Sequence, residues 1–270
     1  MKISTWNVNG IRARAAEVAQ WIEREQPDVL CLQEVKASRA DVPAALNDEL
    51  ATYWSYWHGH KGYSGVALLL RKESFPARPA FTHPEFDHEN RIVQVRLGEL
   101  TLASCYVPNG GKDFDAKLKF MQALEAWAGA QKQLVLCGDL NVAREERDVH
   151  PKLRKQDQIG TTPVERELFA KMLGHGLVDL QRRFSPDDDR LFTWWAPWRN
   201  QRERNIGWRI DYVLASEALA AKAVGCTGHR EFGTSDHGPL QAVLDLAAPQ
   251  YEAAPEPDAK PPPPGQIPLL

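Results

Sequence analysis

Apolar and polar positions change period several times along this chain, and the changes mark its elements. Residues 2–8 (KISTWNV) read as a first strand, ended by Asn9-Gly10. Residues 13–24 carry Ala15, Val18, Ala19 and Ile22 at helical spacing and stop before Pro27. Residues 29–32 form a short apolar strand running into Gln33-Glu34, and residues 64–70 (SGVALLL) another running into Arg71-Lys72. Residues 92–97 alternate as a half-exposed strand does, and 99–107 pair with them across Gly98 as a hairpin ending at Pro108-Asn109. Phe114, Leu118, Met121, Leu124 and Trp127 line one face of a helix.

The stretch 134–141 (LVLCGDLN) organises the rest. Its apolar run predicts a strand buried on both faces, broken at Gly138. Asp139 and Asn141 follow two residues apart, a spacing that sends both side chains into one cleft while Leu140 turns back to the core. Residues 144–160 are polar and predict a surface loop. Thr162-Pro163-Val164-Glu165 is a capping box with proline at the first helical position, opening a helix to about Leu173. Residues 182–205 read as a loop region carrying Trp194, Trp195 and Trp198 among arginines. A strand over 208–215, a short helix over 216–223 and a last strand over 241–246 complete the set. Eight of the final 24 residues are proline, so the reading divides the chain into a single mixed α/β domain, 1–246, and a disordered or polyproline-like tail, 247–270.

Composition narrows the classes. With 270 residues, 43% hydrophobic and 26% charged, the chain fits one large globular domain. A net charge of −3 neither demands nor excludes a polyanionic partner, because a local basic surface binds phosphates whatever the total. No apolar run approaches the ~20 residues of a membrane span, and the N-terminus enters a strand directly rather than a signal peptide. Cys31, Cys105, Cys137 and Cys226 contain no C-x-x-C pair, and three lie in apolar runs. That argues against zinc and against a disulfide framework, and the expected compartment is the cytoplasm.

Candidate chemistry collects where strands end: Asn7, Glu34, Tyr106 with Asn109, Asp139 with Asn141, Asp211, and Asp236-His237. Converging carboxylates repel unless a cation joins them, and an oxygen-rich set without thiolate suits Mg²⁺ or Mn²⁺. Each residue alone also fits an ordinary turn or strand end, where Asn is common for its own reasons. Residues 234–239 (TSDHGP) do not make a serine hydrolase site: adjacent residues cannot form that triad, and no G-x-S-x-G elbow exists. The coincidence of all these groups carries the argument.

The blocks WNVNG (6–10), LQEVK (32–36), CYVPNG (105–110), GDLNVA (138–143), GWRIDY (207–212) and SDHGP (235–239) resemble, in order, the exonuclease III-type apurinic/apyrimidinic endonucleases of the endonuclease/exonuclease/phosphatase superfamily. The resemblance runs from residue 1 to about 246. It implies a DNase I-like, four-layered α/β sandwich: two mixed sheets packed face to face with helices outside. It further implies Glu34 as the main Mg²⁺ ligand, with Asn7 and Asp236 close to the metal and Asp139 and Asn141 completing its surroundings. Asp139 would position or deprotonate the attacking water, helped by Asn141. Asp211 would orient His237 on the scissile phosphate, with Tyr106 and Asn109 holding phosphate oxygens. Some relatives carry Asp where this chain has Asn9, so position 9 is not counted among the ligands.

By the same resemblance Trp194, Trp208 and Ile210 match a pocket for a flipped abasic sugar, and Trp198 falls where a wedge into the duplex would lie. Arg199, Arg202, Arg204 and Arg209 interleave with these aromatics, and Lys152, Arg154 and Lys155 form a second basic cluster, both suited to a DNA backbone. The alternative is tryptophans in the core and arginines on a solvated face. The implied activity is Mg²⁺-dependent cleavage of double-stranded DNA 5′ to abasic sites, with 3′→5′ exonuclease and 3′-end cleaning, at the nucleoid; a monomer is the default expectation, since nothing in the sequence suggests an interface. A binding module of the same fold and a phosphatase of small phosphate esters are the other readings. The tail's Gln266, Leu269 and Leu270 are similar to peptides by which bacterial repair proteins hold the sliding clamp.

Overall fold

Two strand–helix–strand units expected from the sequence become the centres of two separate sheets. The computed structural model describes residues 1–60 and 62–255. Its first half runs β1 (Lys2–Asn7), α1 (Ile11–Glu25), β2 (Val29–Gln33), α2 (Asn47–Ala51), β3 (Tyr53–His60), β4 (Tyr63–Arg71), β5 (Phe81–Thr82), β6 (Ile92–Leu97) and β7 (Leu100–Tyr106). There follow α3 (Phe114–Gly129), β8 (Gln133–Asp139), α4 (Pro163–Gly174), β9 (Leu177–Asp179), α5 (Leu180–Phe184), β10 (Asp211–Ser216), α6 (Glu217–Ala220), β11 (Ala223–Gly228) and β12 (Leu240–Leu244).

One sheet has the order β11-β12-β1-β2-β4-β3 and the other β5-β6-β7-β8-β10-β9. Each contains one parallel pair, β1 with β2 and β7 with β8, and the remaining pairings are antiparallel. A parallel pair needs a long crossover, and α1 and α3 supply it. Each helix therefore lies on the outer face of its own sheet, with α4 beside α3. The inner faces meet through Ile3, Cys31, Val66 and Leu68 from one sheet and Val95, Leu102, Val135 and Val213 from the other. Trp21, Leu30 and Leu69 fill the layer under α1, and Met121, Leu136 and Phe169 the layer under α3 and α4. The result is the expected four-layered sandwich.

The predicted hairpin across Gly98 forms in register, Leu97 opposite Leu100 and Ile92 opposite Cys105. Thr162 and Glu165 close the capping box reciprocally, with Pro163 opening α4. All four cysteines are free and buried. No helix among the described residues is long and apolar enough to cross a membrane.

Several elements differ from expectation. The edge strand β3 and the short β5, β9 and β11 have no counterpart in the sequence reading, and α5 lies where a loop begins. The strand expected from 208 starts at Asp211, while Trp208 makes isolated bridges to Val149 and Trp194. The loop 144–160 is not wholly superficial, since Asp148 and Val149 are buried. Contact with the body continues past residue 246: Ala248 and Tyr251 pack on the inter-sheet core, Tyr251 Oη donates to Ala77 O, and Ala254 N donates to Arg78 O at 2.8 Å. The expected clamp peptide, Gln266, Leu269 and Leu270, lies outside the described residues.

Candidate active site

The parallel pairs place four strand ends side by side. Asn7 is the last residue of β1, opposite Gln33 of β2, and Glu34 follows immediately. In the other sheet Tyr106 of β7 and Asp211 of β10 both lie opposite Asp139 of β8. Gly138 makes this closeness possible, because a Cβ there would stand 1.9 Å from Cys105 O. Leu140 is buried, as the alternation demands.

The turns leaving these strands are strained where function is expected. Asn9, Glu34, Lys36 and Asn141 all have positive φ, between 44° and 53°. A non-glycine residue there costs of order 1–3 kcal/mol and persists only when its surroundings impose it. Here Val8 N donates to Gln33 O, Gly10 N to Glu34 O, and Val35 N to Gly65 O, all at 2.8–3.0 Å, which fixes Glu34 from both sides.

The side chains interlock. Asn7 Nδ2 donates to Asp139 Oδ2 at 2.9 Å and to Glu34 Oε2 at 3.2 Å, joining the two sheets. Asn141 N donates to Asp139 Oδ1 at 3.0 Å, and its Nδ2 to Val107 O at 2.9 Å. His237 Nδ1 donates to Asp211 Oδ2 at 2.9 Å, leaving Nε2 facing Asp139 at 3.8 Å. Asp236 accepts from Trp194 Nε1 at 2.9 Å and Asn9 Nδ2 at 3.0 Å. Lys36, to which sequence reasoning gave no role, reaches Glu34 at 2.8 Å and Asn9 at 2.7 Å.

Burial and charge divide the protons. Burial, helped by the Asp211 charge and opposed by His237, pushes Asp139 up to about 7. Burial pulls His237 down, but Asp211 and Asp139 override it and hold the imidazole up at about 10. Burial also acts to raise Asp236, yet His237 and the Trp194 and Asn9 hydrogen bonds bring it below the ordinary carboxylate range. Tyr106 is pushed well up by burial beside Glu34 and Asp139, so its phenol stays neutral.

A cleft of about 750 Å³ opens over this floor, lined by Glu34, Tyr106, Asn109, Asp139, Asn141, Asp236 and His237. Its far wall is Trp194, Trp208 and Ile210, the two indoles edge to face at 6.3 Å, and Lys152, Lys155, Trp198 and Arg199 stand at its mouth. Trp198 is 59% exposed.

The other predicted DNA contacts part company here. Arg209 is fully buried between Asp148 and Asp179, each 2.7 Å away, and cannot reach a phosphate: this is a correction. Its neighbours Trp208 and Ile210 face the cleft, so the strand-like period of two turns Arg209 inward. Arg202 is corrected too. Its guanidinium donates to the carbonyls of Arg230, Phe232 and Ser235 and lies over Trp195, pinning one loop to another. Arg154 is exposed but does not line this cleft, with Nε on Val149 O and near Glu146. Arg204 is exposed, donating to Arg199 O.

Residues 4–237 match the endonuclease/exonuclease/phosphatase family. The chain belongs to this family. It lies in the exonuclease III and AP endonuclease branch, a group of hydrolases. An exodeoxyribonuclease of Bacillus subtilis is 32% identical over 91% of this chain and 100% of its own length. An AP endonuclease from Archaeoglobus fulgidus superposes with a TM-score of 0.81 at 30% identity, over 91% of this chain and 100% of that one. A 3′ phosphatase from Neisseria, solved with a product DNA hairpin, gives 0.81 at 29% identity with the same coverage.

The family's metal can be tested against the residues present. Asp139, Asp211 and His237 bring ligand atoms within 4.8 Å of one another. His237 Nδ1 is committed to Asp211, and Lys36 and Asn7 bond the two Glu34 oxygens, so the hard oxygen donors that line the cleft are Glu34, Asp139, Asp236 and the Asn141 amide, with Asn7 fully buried behind them. That set fits Mg²⁺ or Mn²⁺. His58, His83 and Asp87 are also close together, but Asp87 already accepts from His58 and from the backbone N–H groups of Arg91 and Ile92. Those bonds anchor the turn into β6.

Proposed function

We propose that this DNA-repair nuclease is a Mg²⁺-dependent phosphodiesterase that cuts duplex DNA 5′ to abasic sites and clears 3′ ends through the same centre, in base excision repair at the nucleoid. The observation that carries the reading is one cleft holding both a buried Asp139–His237–Asp211 floor and a Trp194–Trp208–Ile210 wall. An apolar wall of that kind suits a flipped-out sugar without its base. Lys152, Lys155 and Arg199 at the mouth suit phosphates on either side.

Asp139, held by Asn7 and Asn141, is placed to take the proton of an attacking water once ionised. His237 carries its charge at neutral pH and donates Nε2–H toward a non-bridging phosphate oxygen, while Asp211 keeps Nδ1–H aligned. Neutral Tyr106 donates its phenolic hydrogen to the same phosphate, with Asn109 beside it. A bound Mg²⁺ supplies neutralisation of the phosphate charge, as divalent ions do in phosphoryl chemistry. Preorganised donors of this kind make the largest contribution to such reactions.

The test is a labelled duplex with one stable abasic analogue. A single nick immediately 5′ to the analogue, abolished by EDTA and in Glu34→Ala, is the expected result. Shortening from the 3′ end alone would leave an exonuclease or 3′-end specialist, and no cleavage at all would leave a binding module. The tail supports a separate expectation: a peptide of residues 256–270 binds a purified bacterial sliding clamp, and Gln266→Ala with Leu269→Ala removes binding. Failure to bind at high micromolar concentration ends that idea.

A further inference from the structure

Lys117 is fully buried, although it belongs to no part of the catalytic machinery described above. It sits in the first turns of α3, under the cleft. Its ammonium meets Glu165 Oε1 at 2.5 Å, donates to Asn141 O at 2.7 Å and makes a longer contact to Asn109 O at 3.4 Å. Three donors thus meet three acceptors, on three different segments. Glu165 is equally buried. Its carboxylate accepts from Gly160 N at 2.8 and 2.9 Å and from Thr162 N at 3.0 Å. Gly110 packs so closely on the lysine stem that a Cβ there would stand 2.9 Å from Cδ.

From this geometry we infer that Lys117 and Glu165 are positioning residues: a buried charged clamp that sets the two sides of the cleft at a fixed distance from each other. On the phosphate side the clamp holds Asn109 and Asn141 by their carbonyls, and Asn141 in turn holds Asp139. On the sugar side it holds Gly160, which stands against the Trp208 indole. Neither charge faces the cleft, so neither touches substrate. A neutral, equally bulky pair would fill the same space, but it would leave the Asn109 and Asn141 carbonyls without their donor. Buried ion pairs are often replaceable without loss of stability when both partners change together, so replacing both separates the geometric role of this pair from folding strength.

The inference rests on the proposed abasic-site activity for one of its two readouts only. The variants are Lys117→Met, Glu165→Gln and both together, in the full-length protein. Lys117→Met alone leaves a buried carboxylate unpaired and lowers Tm. The double variant keeps the capping box through Gln and recovers Tm to within a few degrees of wild type. Its kcat on the abasic duplex is expected to stay about 10–100-fold down with KM within about threefold, the signature of a misplaced catalytic group. Amide exchange at residues 109–111, 139–143 and 158–162 rises together in the double variant, with the rest of the protein unchanged. Recovery of kcat along with Tm, or unchanged exchange in the three segments, overturns the clamp. If the wild-type protein cuts no abasic duplex, the functional reading fails, and the exchange pattern alone still decides this one.

Discussion

Asp139→Asn is expected to lower abasic-site cleavage by about 10²–10⁴-fold while leaving the protein folded, the usual range for removing a positioned general base. The amide is nearly isosteric and still accepts from Asn141 N, so the loop stays in place. It removes the repulsion between the Asp139 and Asp211 carboxylates across the β8–β10 pair but sets an amide N–H against the Asn7 Nδ2 donor, so Tm is expected to stay within a few degrees of wild type. The wild-type pH profile should carry the same signature. Without metal Asp139 is pushed up to about 7, and a divalent ion beside it favours the ionised base, so the rate is expected to climb with pH to a plateau that moves to lower pH as Mg²⁺ is raised. His237, held up at about 10, remains a donor across that range and loses its proton only beyond it. Single-turnover rates between pH 5.5 and 10.5, beside thermal melts of the variant, measure both. A variant within tenfold of wild type would remove Asp139 from proton transfer.

The second large effect is on stability. Arg209→Met is expected to cost about 3 kcal/mol, because breaking a buried ion pair strands a charge. The figure is at the lower end because Arg182 still reaches Asp148 Oδ1 at 2.7 Å, and Asp179 keeps the Arg182 N–H and a distant Arg144 guanidinium at 4.0 Å. For a domain of this size that is roughly 6–12 °C in Tm. The pH dependence has a definite sign. Burial acts to raise Asp148, but Arg209 and Arg182 override it and hold the carboxyl below its ordinary value. Stability from a depressed carboxyl is fully present above the unfolded value of about 4 and is lost as pH falls through the folded one. The gap between wild type and Arg209→Met should therefore be constant near neutrality and narrow below about pH 4. A variant as stable as wild type at pH 7 would mean the network contributes nothing net.

How much of this was legible in the sequence depends on what each residue had to signal. β2 and β8 announced themselves as short apolar runs, β1 as a strand-like stretch closed by Asn9-Gly10 and β7 as the hairpin partner of β6 across Gly98, and the polar residues at or just past their ends are the functional candidates. β3 did not. Its YWSYWHGH mixes aromatics with histidine and serine, and an edge strand half open to solvent needs no clean alternation. β11 is small, glycine-containing and mostly exposed. Asn109 and Asn141 stood out beside the acids, but Lys117 and Lys36 did not, since a lysine in a helix or turn looks solvated until the packing is known. Arg209 is the instructive case. Its place among tryptophans read as a basic surface, whereas the period of two that put Trp208 and Ile210 on the cleft side was itself the signal that Arg209 faces inward.

The strap formed by residues 247–255 has a consequence for how this nuclease can be handled. Its contacts, at Ala77 and Arg78, and the N-terminal amine on Leu244 O and Leu246 O gather at the end where β1 begins, whereas the cleft lies where β1 ends. Six strand residues separate the two, about 20 Å. Cargo joined directly at residue 255, whether a fluorophore, a surface linker or a second protein, thus starts from the pole opposite the cleft. The enzyme can be leashed from behind while its working face stays clear.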